Sequence, residues 1–237
     1  LAYLWIFEKV KREVIGILFS GEKYAPERLS DKERSIFEKL PELQAKSPWV
    51  EGEFPEWLYP FLKRRFGENL KAEMEAFLQQ APLDLRVNTL KSPREDVLTS
   101  LEKTGLVVTL MPLSPWGLRC EGRENVTQTK VFQEGFVEIQ DEGSQLIVQL
   151  MDINPGQSVL DLCAGAGGKT LAIAAQLKNK GRVVATDTAG WRLKRAKERL
   201  KRAGAFNAEL RELESLQDKW LKRQKERFDR VLVDAPC

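Results

Sequence analysis

Histidine is absent from the 237-residue sequence, and cysteine occurs only at Cys120, Cys163 and Cys237. Without histidine, a Ser-His-Asp or Cys-His catalytic arrangement and any histidine-ligated metal are excluded within this chain. The three cysteines lie far apart and form no CxxC pair, which argues against a disulfide framework and against a zinc site. We therefore expect no metal and a reducing, cytoplasmic location.

Long apolar runs are also missing. None approaches the roughly 20 residues that a helix needs to cross a bilayer, so we expect no membrane partner. The apolar segment at residues 1–7 lacks the basic flank and cleavage site of a secretory signal. Because the first residue is Leu1 rather than methionine, we expect that an upstream piece is missing.

The net charge of +3 is too small to indicate a nucleic-acid partner by itself, but its distribution is uneven. Basic residues gather between positions 178 and 202, where the only acids are Asp187 and Glu198. Such a local excess attracts phosphates, although a solvated helix face would carry the same residues.

Three regions differ in composition. Residues 1–80 are typical of helices, interrupted at Ser47–Pro60 by three prolines and four aromatic residues. Those aromatics either pin a loop to the core or stack on a base. Residues 81–140 indicate a small α/β subdomain of an RNA-binding type, and residues 141–237 a further domain. The predicted strands of the small unit are Leu83–Asn88, Leu106–Met111, Gly117–Cys120 and Phe136–Gln140, with a helix at Pro93–Thr104.

Strands and helices alternate strictly after Asn154. The predicted strands are Ser158–Leu162, Arg182–Thr186, Ala208–Leu210 and Arg230–Val233, and the helices are Lys169–Leu177 and Ala189–Ala203. Before them, Asp141–Met151 has Leu146, Ile147 and Leu150 at helical spacing. A pattern of this kind predicts an α/β fold with a Rossmann-like parallel sheet and helices on both faces.

A loop of small residues follows the first of these strands. The segment reads Asp161-Leu162-Cys163-Ala164-Gly165-Ala166-Gly167-Gly168-Lys169-Thr170. Small side chains let a ligand approach the backbone, and the following helix start offers unpaired N–H groups. A tight turn with no ligand would use the same residues.

The spacing of the loop matches neither of two common phosphate-binding patterns. A dinucleotide site of the form GxGxxG fits Gly165 and Gly167 but would need glycine at Thr170. A Walker loop fits Gly168-Lys169-Thr170 but would need glycine at Cys163. Each pattern misses by one residue, so a P-loop nucleotide hydrolase stays an alternative.

Asp187 ends the next predicted strand, where a carboxylate can accept both hydroxyls of a ribose. It could also cap the helix that begins near Ala189. Taken with Asp161 and the small loop, it favours a cofactor with a free ribose diol and no pyrophosphate. S-adenosylmethionine has that diol and a sulfonium cation that acidic neighbours favour.

The last strand ends in Asp234-Ala235-Pro236-Cys237. This motif, together with the Asp161–Thr170 loop, resembles the Nop/Sun family of RNA cytosine-5 methyltransferases, and its RsmB/Sun branch looks nearest. The segments 85–91 and 139–146 also look like family elements. The resemblance runs from about Phe54 to the end, and it implies a class I methyltransferase domain over residues 141–237 that acts on RNA, with ribosomal RNA of the small subunit as the expected substrate.

The resemblance also implies roles for single residues. The loop from Cys163 through Ala164, Gly165, Ala166, Gly167 and Gly168 to Lys169 would surround the methionine part of the cofactor. Asp187 would hold its ribose, and Asp234 would lie near the sulfonium and the target base. The acid near the adenine falls on Glu212 or Glu214, and we favour Glu214.

Carbon 5 of cytosine is a poor nucleophile, so a cysteine thiolate must first add to carbon 6. Cys237 is the catalytic candidate in this chain, assisted by Asp234. In this RNA family the attacking cysteine generally comes from a later Thr-Cys motif and the Pro-Cys cysteine helps to release the product, whereas in related DNA enzymes the Pro-Cys cysteine attacks. Since Cys237 is the final residue, we expect a truncated chain that is inactive by itself. Cys120 and Cys163 are interpreted as small buried residues.

RNA of this kind would be read from an unstacked base. We expect phosphate contacts from Arg86 and Lys91 of the small unit and from Arg192 and Arg195 of the basic helix, and we expect a monomer. An RNA-binding protein that has the fold but no catalysis remains a second alternative.

Overall fold

The computed structural model describes residues 10–39, 47–122, 125–215 and 217–235. The chain divides into two compact units, Leu1–Gln80 and Ala81–Cys237. No helix within the described ranges is both long and apolar enough to cross a membrane.

The first unit is helical. Its helices are α1 (Arg12–Leu18), α2 (Asp31–Lys39), α3 (Pro48–Glu51), α4 (Tyr59–Phe66) and α5 (Leu70–Leu78). The proline-rich segment that was predicted as a loop is therefore partly helical, because proline is tolerated in the first turn, where its missing N–H has no partner to lose. Trp49 and Tyr59 meet edge-on with ring centroids 5.6 Å apart, whereas Trp57 is exposed. The region 1–80 that was predicted to be helical lies partly outside the described residues.

The second unit begins with a small antiparallel sheet. Its strands are β1 (Leu83–Val87), β2 (Val108–Leu110), β3 (Gly117–Cys120) and β4 (Val137–Ile139), in the spatial order β2-β3-β1-β4. Helices α6 (Arg94–Glu102) and α7 (Lys130–Gln133) belong to the same part. Along β1, Leu85 and Val87 enter an apolar core with Leu101 of α6, so the alternate residues Asp84 and Arg86 lie on the other face of the sheet.

A parallel sheet follows, in the order β7-β6-β5-β8. Its strands are β5 (Ser158–Asp161), β6 (Arg182–Asp187), β7 (Ala208–Glu212) and β8 (Arg230–Leu232), and its helices are α8 (Glu142–Leu150), α9 (Gly168–Gln176), α10 (Gly190–Ala203) and α11 (Lys219–Lys222). Val159, Val183 and Ile173 are fully buried between sheet and helices. The predicted α/β fold with a parallel sheet is confirmed.

Two helices show what periodicity can and cannot predict. In α10, Leu193, Ala196 and Leu200 are buried, and their helical spacing places them on one face of the helix. In α8, Leu150 is 83% exposed, and the buried positions are Gln145 and Val148. The Gln145 amide is satisfied inside the protein, because its Nε2 donates to the carbonyl of Gln140 at 2.8 Å and its Oε1 accepts from Ser114 Oγ at 2.6 Å.

Candidate functional site

A cavity of about 610 Å³ lies at the carboxyl ends of β5, β6 and β8. This edge of a parallel α/β sheet is where ligands bind, because the strand-to-helix loops all open there. The lining residues are Gln140, Asp161, Leu162, Cys163, Ala164, Gly165, Ala166, Gly168, Lys169, Asp187, Thr188, Ala189, Arg192, Leu213, Asp234 and Ala235.

The glycines of the loop have different reasons to be there. Gly165 has φ +55°, its N–H donates to Asp187 Oδ2 at 2.7 Å, and a Cβ atom here would lie 3.1 Å from the guanidinium of Arg192. Gly167 has φ +80°, but a Cβ atom here would come within 2.8 Å of the Ala196 Cβ on α10. Gly167 does not line the cavity, so its predicted cofactor contact is replaced by close helix packing.

Asp187 is 7% exposed and connects the loop to the start of α10. Its Oδ2 accepts from Gly165 N, and its Oδ1 accepts from Ala189 N at 2.8 Å. A carboxylate offers about four acceptor sites, so the two main-chain donors leave capacity for two hydroxyls. The two roles considered from the sequence, the helix start and a ligand group, are thus compatible in one side chain.

Asp161 carries the least satisfied polar atom of the cavity wall. Its Oδ2 accepts from Thr170 Oγ1 at 2.7 Å, whereas Oδ1 is buried without a hydrogen-bond partner. Burial raises the pKa of this carboxyl to about 6. Buried polar groups are nearly always paired, so an orphan oxygen on a cavity wall indicates a place for a donor or a cation from a ligand.

The cavity is acidic apart from two cations. Lys169 Nζ donates to Asp234 Oδ2 at 2.5 Å and lies 3.5 Å from Ser144 Oγ. Arg192 Nη1 lies 3.9 Å from Asp187 Oδ2. Burial, and then the charge of Asp187, raise the pKa of the Cys163 thiol, so this cysteine stays protonated at neutral pH.

Glu214 does not reach the cavity. It is exposed, and its N–H donates to Asp218 Oδ2 at 3.3 Å, while the buried neighbour Leu213 lines the wall instead. Glu212, the other candidate, lies against Gly190 at the start of α10 and does not line the cavity either. Neither acid lines the cavity, so the assignment of Glu214 to the adenine has no support from the lining and stays a prediction.

Arg86 is not the surface cation that the sequence suggested. It is 2% exposed, and burial lowers the pKa of its guanidinium to about 10. Its Nε donates to Gln140 Oε1 at 2.6 Å and its Nη2 to the Gly168 carbonyl at 3.3 Å. A side chain enclosed in this way cannot bind an RNA phosphate, and that expectation is corrected.

The three other predicted phosphate ligands differ from one another. Lys91 is exposed, but its ammonium donates to the carbonyls of Glu134 and Arg202. Arg192 borders the cavity, and its contact with Asp187 associates it with the cofactor loop. Arg195 is exposed on α10 and lies over the Trp191 ring at 5.1 Å, so its RNA contact stays a prediction.

Two further expectations concern residues at the edges of what the structure describes. Asp234 lines the cavity, and its place near the sulfonium and the target base stays a prediction, whereas Cys237 lies outside the described residues. Within the described ranges, no group of three or more Cys, Asp and Glu side chains is placed to hold a metal ion.

The sequence interpretation missed several lining residues. Gln140 and Leu213 come from segments outside the glycine loop, and Thr188 and Ala189 follow Asp187 directly. Gln140 stands inside the 139–146 family segment, which was the available signal. Leu213 had none, because its burial depends on how β7 continues beyond Glu212.

Two family models match the chain. One, described as the 16S rRNA methyltransferase RsmB/F, matches residues 148–237, and the other, the ferredoxin-like domain of the RsmF/B type, matches residues 54–127. A probable ribosomal RNA small subunit methyltransferase B of Synechocystis is 35% identical over 186 residues, which cover 78% of this chain and 42% of that protein. The chain belongs to the RsmB/F family of methyltransferases.

Solved structures are also similar to this chain in fold. A methyltransferase homologue from Pyrococcus horikoshii has a TM-score of 0.73 and 29% identity, over 80% of this chain and 62% of that one. NSun6 from the same organism, solved with the S-adenosylmethionine analogue SFG, has a TM-score of 0.69 and 22% identity, over 78% of this chain and 71% of that one, a likeness that shows the fold alone. The chain spans less than half the length of the curated relatives it matches.

The cofactor of this family is S-adenosylmethionine, as the loop and Asp187 predicted. The cavity of this chain fits that molecule on three counts. Asp161 has an orphan acceptor, Asp187 has acceptor capacity to spare, and the loop carries only small side chains from Cys163 to Gly168.

Proposed function

We propose that this chain holds S-adenosylmethionine for methyl transfer to carbon 5 of cytosine in ribosomal RNA of the small subunit. The observation that carries the proposal is the pair Asp161 and Asp187, which border one cavity from the ends of neighbouring strands. Asp161 presents an unpartnered carboxylate oxygen, and Asp187 is fixed by two main-chain N–H groups. The family of the chain supports the RNA substrate.

We propose a role for most of the residues that line the cavity. Asp187 accepts the ribose hydroxyls, and Asp161 Oδ1 accepts from the amino group of the methionine part. Cys163, Ala164, Gly165, Ala166 and Gly168 allow close approach of the backbone, and Leu213 contacts the adenine. Lys169 keeps Asp234 in place at the mouth of the site. When bound, the cofactor would supply a methyl group that is electrophilic because its sulfur is a positively charged sulfonium.

Asp234 and Cys237 are the residues that we propose to act near the base. A thiolate adds to carbon 6 of cytosine, which makes carbon 5 nucleophilic, and loss of the carbon 5 proton after methylation expels the thiolate. Asp234 is exposed at the cavity wall, three positions before Cys237 in the sequence. Cys237 either attacks carbon 6 or assists release of the product, and the Cys237→Ala variant distinguishes these two roles.

RNA would meet the outer face of α10. Arg195 is exposed there with Lys194, Lys197 and Lys201. Cations on one helix face attract a phosphate backbone, and the target base would be unstacked to enter the cavity. We further propose that the protein is a cytoplasmic monomer without a metal. Residues 1–80 would form a helical region, residues 81–140 an RNA-binding subdomain and residues 141–237 the methyltransferase domain.

The first experiment tests the cofactor. Isothermal titration of the chain with S-adenosylhomocysteine should give saturable binding at one site, and ATP with magnesium should give none. Heat with ATP and magnesium alone would instead support a P-loop nucleotide hydrolase. RNA binding with no effect of S-adenosylhomocysteine at any concentration would support a non-catalytic RNA-binding protein.

The second experiment tests the chemistry on the longest reading frame that contains this chain. Small-subunit RNA treated with S-adenosylmethionine should yield 5-methylcytosine when its nucleosides are analysed by mass spectrometry. A Cys237→Ala variant that accumulates a covalent RNA complex would assign Cys237 to product release. If that variant forms no adduct and no product, Cys237 is the attacking residue.

A further inference from the structure

The small antiparallel sheet lies directly behind the cofactor loop. We propose that Arg86 of β1 and Arg199 of α10, held together by Glu138 of β4, are positioning residues that set the shape of this loop and thereby the affinity for the cofactor. The inference rests on the proposed function, since it assumes that the cavity binds S-adenosylmethionine. It assigns to the small sheet a role inside the cofactor site.

Two guanidinium groups hold two carbonyls of the loop. Arg199 Nη1 donates to the Ala166 carbonyl at 2.8 Å, and Arg86 Nη2 donates to the Gly168 carbonyl at 3.3 Å. These carbonyls stand on either side of Gly167, whose positive φ makes the loop turn. Ala166 and Gly168 themselves line the cavity, so a shift of either carbonyl would move the cavity wall.

Glu138 keeps the arginines in place. It is 3% exposed, and its Oε2 accepts from Arg199 Nε at 3.1 Å and from Arg199 Nη2 at 2.8 Å. Its Oε1 accepts from Arg202 Nη2. The attraction of Glu138 also acts on the buried Arg86. A buried carboxylate between cations is expensive to assemble and costly to break, so this cluster fixes geometry more than it adds stability.

Gln140 extends the same network to the cavity. Its Oε1 accepts from Arg86 Nε at 2.6 Å, and Gln140 is itself a lining residue. Arg86 therefore contacts two parts of the wall, the side chain of Gln140 and the backbone of Gly168. A lysine at this position would retain the charge, but its single ammonium lacks the planar fork that reaches both acceptors.

The same two layers are joined elsewhere, which provides a matched control. Asn88 is buried, and its Nδ2 donates to the carbonyls of Gly135 and Ala203 at 2.9 and 2.8 Å. Ala203 ends α10, one turn beyond Arg199, and its carbonyl is bonded to Asn88 and not to the cofactor loop. Asn88→Ala thus loosens the contact between the small sheet and α10 without touching a loop carbonyl.

The test measures binding of S-adenosylhomocysteine by titration calorimetry well below the melting temperature of each variant. We expect Arg86→Met to raise the Kd about tenfold, with Arg86→Lys and Arg199→Met at about fivefold, because each loses a charge-assisted bond to the wall. Asn88→Ala should lower the melting temperature but leave the Kd within about twofold. Arg199→Met retains the test if the Arg86 variants fail to fold.

Hydrogen exchange of the ligand-free protein gives a second measurement that does not depend on binding. Amides of residues 163–169 should exchange faster in Arg86→Met than in the unaltered chain, and those in Asn88→Ala should not. An unchanged Kd and exchange rate in Arg86→Met and Arg199→Met would overturn the proposal, as would an equal loss of affinity in Asn88→Ala. If the unaltered chain binds no S-adenosylhomocysteine, the proposed function itself fails and this inference with it.

Discussion

Asp84 of the antiparallel sheet and Asp161 of the parallel sheet are both buried, but their carboxylates differ in how many hydrogen bonds they accept. In the antiparallel sheet, Asp84 Oδ1 accepts from Arg119 Nε at 2.7 Å, and Oδ2 accepts from Arg119 Nη2 at 3.0 Å and from Glu142 N at 3.2 Å. In the parallel sheet, Asp161 has Thr170 on one oxygen and no partner on the other. Asp84 is 4% exposed and Asp161 1%, so burial does not distinguish them.

This difference shows how a buried carboxylate with a structural role can be distinguished from one that binds a ligand. A buried carboxylate that lines no cavity and has both oxygens paired, like that of Asp84, holds the fold together, and removing its partner leaves an uncompensated charge. A buried carboxylate with an unused acceptor on a cavity wall costs stability in the free protein and recovers it when a donor arrives. Variants of Asp161 and of Arg119, the partner of Asp84, should therefore behave differently.

The largest effect is expected at Asp187. Asp187→Ala removes both proposed ribose contacts and the anchor of the Gly165 N–H, so S-adenosylhomocysteine binding should weaken about a thousandfold, or ~4 kcal/mol. The control is Asp229→Ala, which removes a similar carboxylate-to-backbone bond, 2.7 Å from Ser158 N, at the start of β5. Calorimetry that finds equal losses in the two variants would remove Asp187 from the site.

The second effect concerns the pH dependence of stability at Asp161. Burial raises the pKa of this carboxyl from 3.8 to about 6 in the folded protein, so the folded state holds the proton more tightly than the unfolded chain. Its favourable contribution is full below about pH 4 and is lost as the pH rises through 6, a change of roughly 3 kcal/mol.

Urea unfolding at pH 4 and at pH 7 checks this sign. Asp161→Asn should gain stability relative to the unaltered chain over that range, because the amide has no proton to lose. S-adenosylhomocysteine should also bind the unaltered chain more tightly as the pH rises through 6, since the proposed donor requires the carboxylate. Parallel stability curves for the two proteins would show that Asp161 is not the titrating group.

The smallest effect is expected in the antiparallel sheet. Arg119→Met removes the paired hydrogen bonds to Asp84 and should lower the free energy of unfolding by about 2 kcal/mol. Arg119 touches no residue of the cofactor loop, so the Kd for S-adenosylhomocysteine should stay within about twofold of its original value. A large change in affinity here would mean that any damage to the small sheet reaches the cavity, and the contrast between the sheets would be lost.

The sequence predicted those parts of the site that short-range pattern controls. The ends of parallel strands meet at one edge, so Asp161 and Asp187 could be placed together from their positions alone. Arg86 could not be placed, because β1 alternates in the same way whether its second face meets water or another layer. The packing of that face against the cofactor loop is a tertiary contact across 82 residues. Leu213 was missed for a similar reason.

The near contact between Gly167 and Ala196 has a mechanical consequence. No side chain separates the loop from α10 at this point, and the Cβ of a residue larger than glycine at 167 would lie only 2.8 Å from that of Ala196. The helix α10, which carries Arg195 on its exposed side, therefore packs directly against the backbone of the cofactor loop. A shift of α10 toward the loop would press on the backbone of Gly167, so the position of this helix and the shape of the loop depend on each other.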